Sequence, residues 1–129
     1  MHRCLVTVSA LLALATPVFA HAQELVQRNF PAHALRGELV VGVAPEAHLN
    51  GKPARLSPGA RIRGTNNLLL VPTAVTGQKL AVHYTVEHLG LIHEVWVLRP
   101  DELAKRWPKT AKEASQWVFD PVAQVWAKP

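Results

Sequence analysis

A small, mainly β fold is what this sequence predicts: an antiparallel β-sandwich or partly open barrel of about five to six strands, followed by one or two short C-terminal helices. Three observations carry that expectation. From residue 34 to 99, short β-rich runs alternate with Gly, Pro and Asn turn signals. After Arg99 the alternation gives way to helix start and stop signals. The one cysteine, Cys4, falls in a segment expected to be removed, so no disulfide holds the remainder and an apolar core must do so. Hydrophobic residues make up 49% of the chain, ample for one small core.

Residues 1–22 read as a signal peptide. Met1-His2-Arg3 is a short basic start, and Leu5 to Leu14 is an apolar run too short to span a bilayer. Pro17 to Ala22 then places small residues for cleavage after Ala20 or Ala22. Cys4 precedes the apolar run, whereas a lipoprotein signal puts cysteine at the cut. The expected address is therefore periplasmic or secreted, with no transmembrane segment in the mature chain. Residues 23–33 are expected as a flexible lead, 34–99 as the β domain, and 100–129 as short helices with a Trp-containing tail.

The elements follow from local chemistry. Leu35 to Ala44 reads as the first strand, with Gly37 and Gly42 as bulge sites. Asn50-Gly51 is a strong two-residue hairpin signal. Ser57-Pro58-Gly59-Ala60 fits a type II turn, leaving Ala60 to Arg63 as a short strand. Gly64 to Asn67 is a turn, Leu68 to Val71 a strand stopped by Pro72, and Thr76-Gly77-Gln78 a turn into two longer strands, Lys79 to Glu87 and Leu91 to Arg99. A loop His88-Leu89-Gly90 with Gly90 left-handed pairs Val86 with Ile92, Val82 with Trp96 and Leu80 with Leu98. That register gathers the bulky apolar residues on one face, with Glu94 as the misfit.

Pro100-Asp101-Glu102 opens a short helix expected through Trp107, acids first and Lys105-Arg106 last, as the helix dipole favours. Thr110-Ala111-Lys112-Glu113 is a capping box that starts a second helix through about Val118. Pro121 to Pro129 reads as a loose tail.

The chain carries 14 basic and 9 acidic residues. Arg3 leaves with the signal, so the mature chain keeps a net charge of +4. An exported basic protein does not meet cytoplasmic nucleic acid; the expected partner is a protein or an anionic envelope surface. Lys52, Arg55, Arg61 and Arg63 flank the Ser57–Ala60 segment as a candidate anion site, because guanidinium forks suit phosphate and carboxylate. Trp117, Phe119 and Trp126 are candidate partner-binding residues of the tail, with Trp107 expected to cap the sheet and Trp126 to stay loose.

The expected hairpin register also places His83, Glu87 and His93 around Thr85 on the outer face. Two imidazoles and a carboxylate are ligands for Zn or Cu, which gives the alternative of a periplasmic metal-binding protein. The leading reading needs no cofactor. No Gly-x-Ser-x-Gly or His-Glu-x-x-His occurs, nor a glycine-rich phosphate loop. Ser57 and Ser115 have no evident histidine base, so the chain is read as non-enzymatic. A small hydrolase using carboxylates such as Glu38, Glu46, Glu87 or Glu94 is a further alternative.

Leu49-Asn50-Gly51-Lys52-Pro53-Ala54-Arg55-Leu56, followed by Leu69-Leu70-Val71-Pro72, resembles small β modules of exported bacterial proteins such as the copper amine oxidase N-terminal-like domain. The likeness rests on hairpin chemistry and identifies no functional residue.

Overall fold

The computed structural model describes residues 26–129; the signal segment expected at residues 1–22 lies outside them. The fold is mainly β, a five-stranded closed barrel with extra strands, a second small sheet and short C-terminal helices. The barrel strands are β1 (Leu35–Val41), β2 (Glu46–Leu49), β3 (Lys52–Arg63), β5 (Lys79–Val86) and β6 (Ile92–Val97), with the short β4 (Leu69–Leu70) extending the edge of β3. β1 pairs with β2 and β5, β5 with β6, and β2 with β3, all antiparallel. The ring closes through a parallel pairing of β3 with β6. A long connection between β3 and β5, carrying β4 and a 3₁₀ turn at Pro72–Val75, makes that parallel closure reachable.

Turn residues act where the sequence places them. Asn50 and Gly51 both have positive φ between β2 and β3, as do Gly77 before β5 and Gly90 between β5 and β6. Asn50 also fixes its hairpin against β1: its Oδ1 accepts from the Glu38 amide at 2.9 Å. Gly37 is required there, since a Cβ would lie 2.9 Å from Asn50 Oδ1 and 3.0 Å from the Tyr84 ring.

Alternate residues of the strands fill the barrel. Leu39, Val41, Ile62, Val82, Ile92 and Val95 are its most enclosed apolar side chains. The β5–β6 register differs from the expected one. Val86 faces Ile92 as expected, but the pairing then shifts, so that Val82 meets Val97 and His83 meets Trp96. An extra residue in β6 between Ile92 and Val95 reverses the facing of everything after it. Val95 thereby takes the interior place that the misfit Glu94 would have held, while Trp96 and Leu98 turn to the outside of the barrel. There they join Phe30, Ala34, Trp107 and Trp126 in a second apolar core.

Further expectations are corrected. Ser57 to Ala60 is no turn: β3 runs on from Lys52 to Arg63, with a register shift between Leu56 and Arg61. Pro58, lacking an N–H, sits inside that irregularity, where no ladder bond is lost. The helix at Pro100 is only one turn, α1 (Pro100–Leu103), because Pro108 O accepts from the Arg36 amide at 2.9 Å and Trp107 Nε1 donates to Ala34 O at 2.8 Å. Those bonds tie Trp107 and Pro108 to the start of β1 instead of continuing the helix. α2 (Ala111–Gln116) starts as expected, with Thr110 Oγ1 accepting from Glu113 N at 3.1 Å.

The loose tail is instead a hairpin of β7 (Val118–Asp120) and β8 (Val125–Ala127). Asp120 accepts from the amides of Val122 and Ala123, and Gln124 takes positive φ, so the turn is made by side-chain chemistry that the Pro121 signal hid. Residues 26–30, expected as part of a flexible lead, are docked as well, with Arg28 and Phe30 buried.

Candidate functional site

Two faces of the barrel carry chemistry. The first is the outer surface of β3. An open groove there is bounded by Pro45 of the β1–β2 loop, Arg55, Leu56 and Pro58 of β3, and Leu89 and Leu91 of the β5–β6 loop. Its rim is apolar and solvent-facing: Leu89 is 72% exposed, and Val43 in the neighbouring loop is 84% exposed. Among the described residues Arg55 meets only Glu46, at 3.7 Å with both side chains exposed, an arrangement that contributes little. Arg61 is also exposed, opposite Glu94 in the parallel register. Lys52 stands exposed at the hairpin end of the same strand.

Arg63 is separated from this group. Its Nη1 donates to Asn67 O at 3.2 Å, and it borders a different open groove beside Arg99 and Trp96. The four basic residues expected as one patch therefore divide, with Lys52, Arg55 and Arg61 left facing solvent. Other arginines are committed to the fold: Arg28 to Glu102, Gly64 O and Val97 O, Arg36 to Glu102 O and Leu103 O, and Arg99 to Asp101 and Val26 O.

The second face lies between β5 and the C-terminal segment, around His83. The side chain is 1% exposed. Trp107 stacks on the imidazole at 4.3 Å between centroids, and Phe30 meets it edge-on at 4.5 Å. His83 Nε2 lies 3.3 Å from Arg36 Nη2. A guanidinium only donates, so Nε2 must accept and the neutral ring carries its proton on Nδ1. Burial, then the charges of Arg36 and Arg28, lowers the imidazole from its ordinary 6.5 to about 3, so it is neutral at physiological pH. Burial also lowers the Arg36 guanidinium, with Glu102 opposing the shift.

Glu102 organises this side. Its carboxylate takes Arg28 through two nitrogens, including Nε at 2.9 Å, and accepts from the Arg99 amide at 2.9 Å. Its backbone carbonyl accepts from Arg36 at 2.9 Å. The buried pair is thus satisfied from both ends, as a buried pair must be to persist. Charge order along Pro100-Asp101-Glu102 was visible in the sequence; the partner Arg28, in the expected lead, was not.

The residues expected to bind metal are not brought together. His83 is enclosed beneath Trp107, Glu87 Oε1 accepts from the amides of Leu89 and Leu91 in its own loop, and His93 Nδ1 lies 3.0 Å from Ser57 Oγ. Among the described residues, no group of three His, Cys, Asp or Glu is placed to hold a metal ion. Ser57 does have a histidine beside it, contrary to the sequence reading. The long-range β3–β6 pairing puts it there, which no local signal announces. Both members belong to strands of the closed wall, and Ser57 is buried.

The aromatic tail residues also turn inward. Trp126 is 6% exposed, stacked on Phe119 at 4.8 Å and edge-on to Trp107 at 5.8 Å, which corrects its expected loose role. Trp107 caps the outer face of the sheet, as expected. Trp117 and Phe119 pack half-buried against the same core, and Lys128 Nζ lies 5.2 Å from the Trp117 ring centroid. Among the described residues, no helix is long and apolar enough to cross a membrane. No family model, no curated protein and no solved structure matches the chain.

Proposed function

We propose that this chain is an exported, non-enzymatic binding module that engages an acidic protein face or an anionic envelope component through β3. The observation that carries the reading is the pairing of an exposed apolar groove with guanidinium groups that the fold does not use. Pro45, Leu89 and Leu91 offer dry contact area, and Arg55 and Arg61 offer forks for carboxylate or phosphate. By fold-level analogy alone, five-stranded Greek-key barrels of the OB type carry ligands on their second and third strands and the loops joining strands 1–2 and 4–5. The β3 groove occupies the corresponding place in this barrel.

The test is co-sedimentation of the mature protein with washed envelope fragments across a salt series. Wild type should sediment at low salt and release as salt rises, because exposed charges are screened beyond roughly 10 Å at 0.1 M. Arg55→Ala/Arg61→Ala should sediment several-fold less. Equal sedimentation of variant and wild type, or retention that ignores salt, contradicts the reading.

A further inference from the structure

An open groove of about 940 Å³ runs between the N-terminal lead, the turn joining β3 to β4, and the start of α1. One buried guanidinium fastens its walls together. Arg28, 7% exposed, donates to Gly64 O of the turn at 2.9 Å and to Val97 O of β6 at 2.7 Å, and pairs with Glu102 of α1. The turn is set further by Gly64 N, which donates to Leu68 O at 2.9 Å, and by Asn66 Oδ1, which accepts from Leu68 N at 3.1 Å. The groove is therefore shaped before any ligand arrives, and little ordering opposes binding.

Three arginines border the groove, and two are balanced: Arg28 by Glu102, and Arg99 by Asp101 at 3.1 Å. Arg63 is not. Its guanidinium makes one bond, from Nη1 to Asn67 O at 3.2 Å, and among the described residues no carboxylate pairs with it. Beside it the turn presents Thr65, Asn66 and Asn67, all exposed, while Asn29 borders the groove from the lead. Asn66 and Asn29 commit their Oδ1 atoms, to Leu68 N and Gln27 Nε2, so each keeps its Nδ2 group as a donor. Trp96 lines the groove too. The unpartnered side-chain atoms sealed from solvent are Arg36 Nε, His83 Nδ1 and Trp126 Nε1; the Trp96 indole N–H, also without a partner among the described residues, is not sealed.

We infer that this groove binds a sparsely charged acidic oligosaccharide, with one uronate carboxylate in the Arg63 fork and neighbouring hydroxyls on Asn29, Thr65, Asn66 and Asn67. The recognition is chemical at each point. The unbalanced guanidinium calls for one carboxylate, which it can take through two nitrogens. Side-chain amides and a hydroxyl offer donors and acceptors side by side, as sugar hydroxyls do. Val26 and Pro100, both exposed on the rim, suit the apolar C–H side of a sugar ring. An acidic peptide would bring closely spaced carboxylates to a single unmatched cation. The site is independent of the β3 groove, sharing no residue with it.

The probe is xylotriose carrying a single glucuronate, titrated against the mature protein at fixed ionic strength while ¹H–¹⁵N correlations follow the Trp96 indole and the Asn66 side-chain amide. A single saturable transition is expected, with both signals moving together. The methyl ester of the same saccharide, which keeps every sugar hydroxyl and loses the charge, should bind about tenfold more weakly. Arg63→Gln should lose about the same factor with an unchanged circular dichroism spectrum, since Arg63 gives the fold one exposed bond. If that variant misfolds, the comparison of acid and ester on wild type decides the matter. Arg106→Gln, which removes an equal charge from an exposed position outside the groove, should bind as wild type does. No saturation up to tens of millimolar overturns the inference, and so does equal binding of acid and ester. A tetraglutamate peptide that binds as tightly as the saccharide, or an equal loss in Arg106→Gln and Arg63→Gln, overturns it as well.

Discussion

The barrel interior and the core outside β5 and β6 are built on different terms. Apart from Tyr84 the interior is aliphatic, assembled from alternate residues of five strands, such as Leu39, Ile62, Val82 and Val95. The outer core mixes Phe30, Trp96, Trp107 and Trp126 with a buried ion pair and a neutral histidine. A side chain removed from the first leaves a void. One removed from the second leaves a stranded charge or an orphaned donor. The two regions should therefore respond differently to mutation and to acid, although both are equally enclosed.

The largest effect should come from Glu102→Ala. It leaves Arg28 buried without its carboxylate and the Arg99 amide without an acceptor, at a cost of roughly 3–5 kcal/mol in urea denaturation. Trp126→Ala should cost about 3–5 kcal/mol as well if the hairpin is docked, and under about 1 kcal/mol if the tail is free. In the barrel, Leu39→Ala should cost roughly 2–5 kcal/mol through cavity formation, equally at pH 7 and pH 4.5.

Acid is what separates the regions. Only the folded state resists protonation of His83, so its contribution to stability is whole above pH 6.5 and is lost as pH falls toward about 3. Urea midpoints should decline over that window, and His83→Gln should flatten the decline. The smallest effect belongs to Arg55→Ala/Arg61→Ala, expected within about 0.5 kcal/mol in stability while envelope binding falls. A fluorophosphonate probe should leave Ser57 unlabelled; labelling that requires His93 would replace the binding reading with a catalytic one.

The barrel was legible because its strands obey period-two alternation and its turns use Asn-Gly and left-handed glycines, which are local signals. The outer core was not, because its pairings join residues far apart in sequence: Arg28 with Glu102, His83 with Trp107, Phe30 with Trp107. One residue accounts for much of the difference. The extra position in β6 converted Trp96 from an expected interior residue to an exterior one, while His83 stayed on the outer face of β5 and was buried there by Phe30 and Trp107. A strand pattern fixes which residues alternate, but a bulge decides which set faces in, and nothing in His93-Glu94 marks one. The basic residues of β3 were recognisable as exposed, while the separation of Arg63 from Arg55 depended on where the Gly64–Asn67 turn delivers it.

The central claim is that His83 is a buried, neutral donor beneath the C-terminal segment, and the ¹H–¹⁵N correlations of its ring test it most directly. Between pH 8 and pH 4.5 the His83 signals should hold the pattern of a neutral imidazole protonated at Nδ1. A His83 that titrates at the ordinary value of 6.5, or that carries its proton on Nε2, would contradict the account.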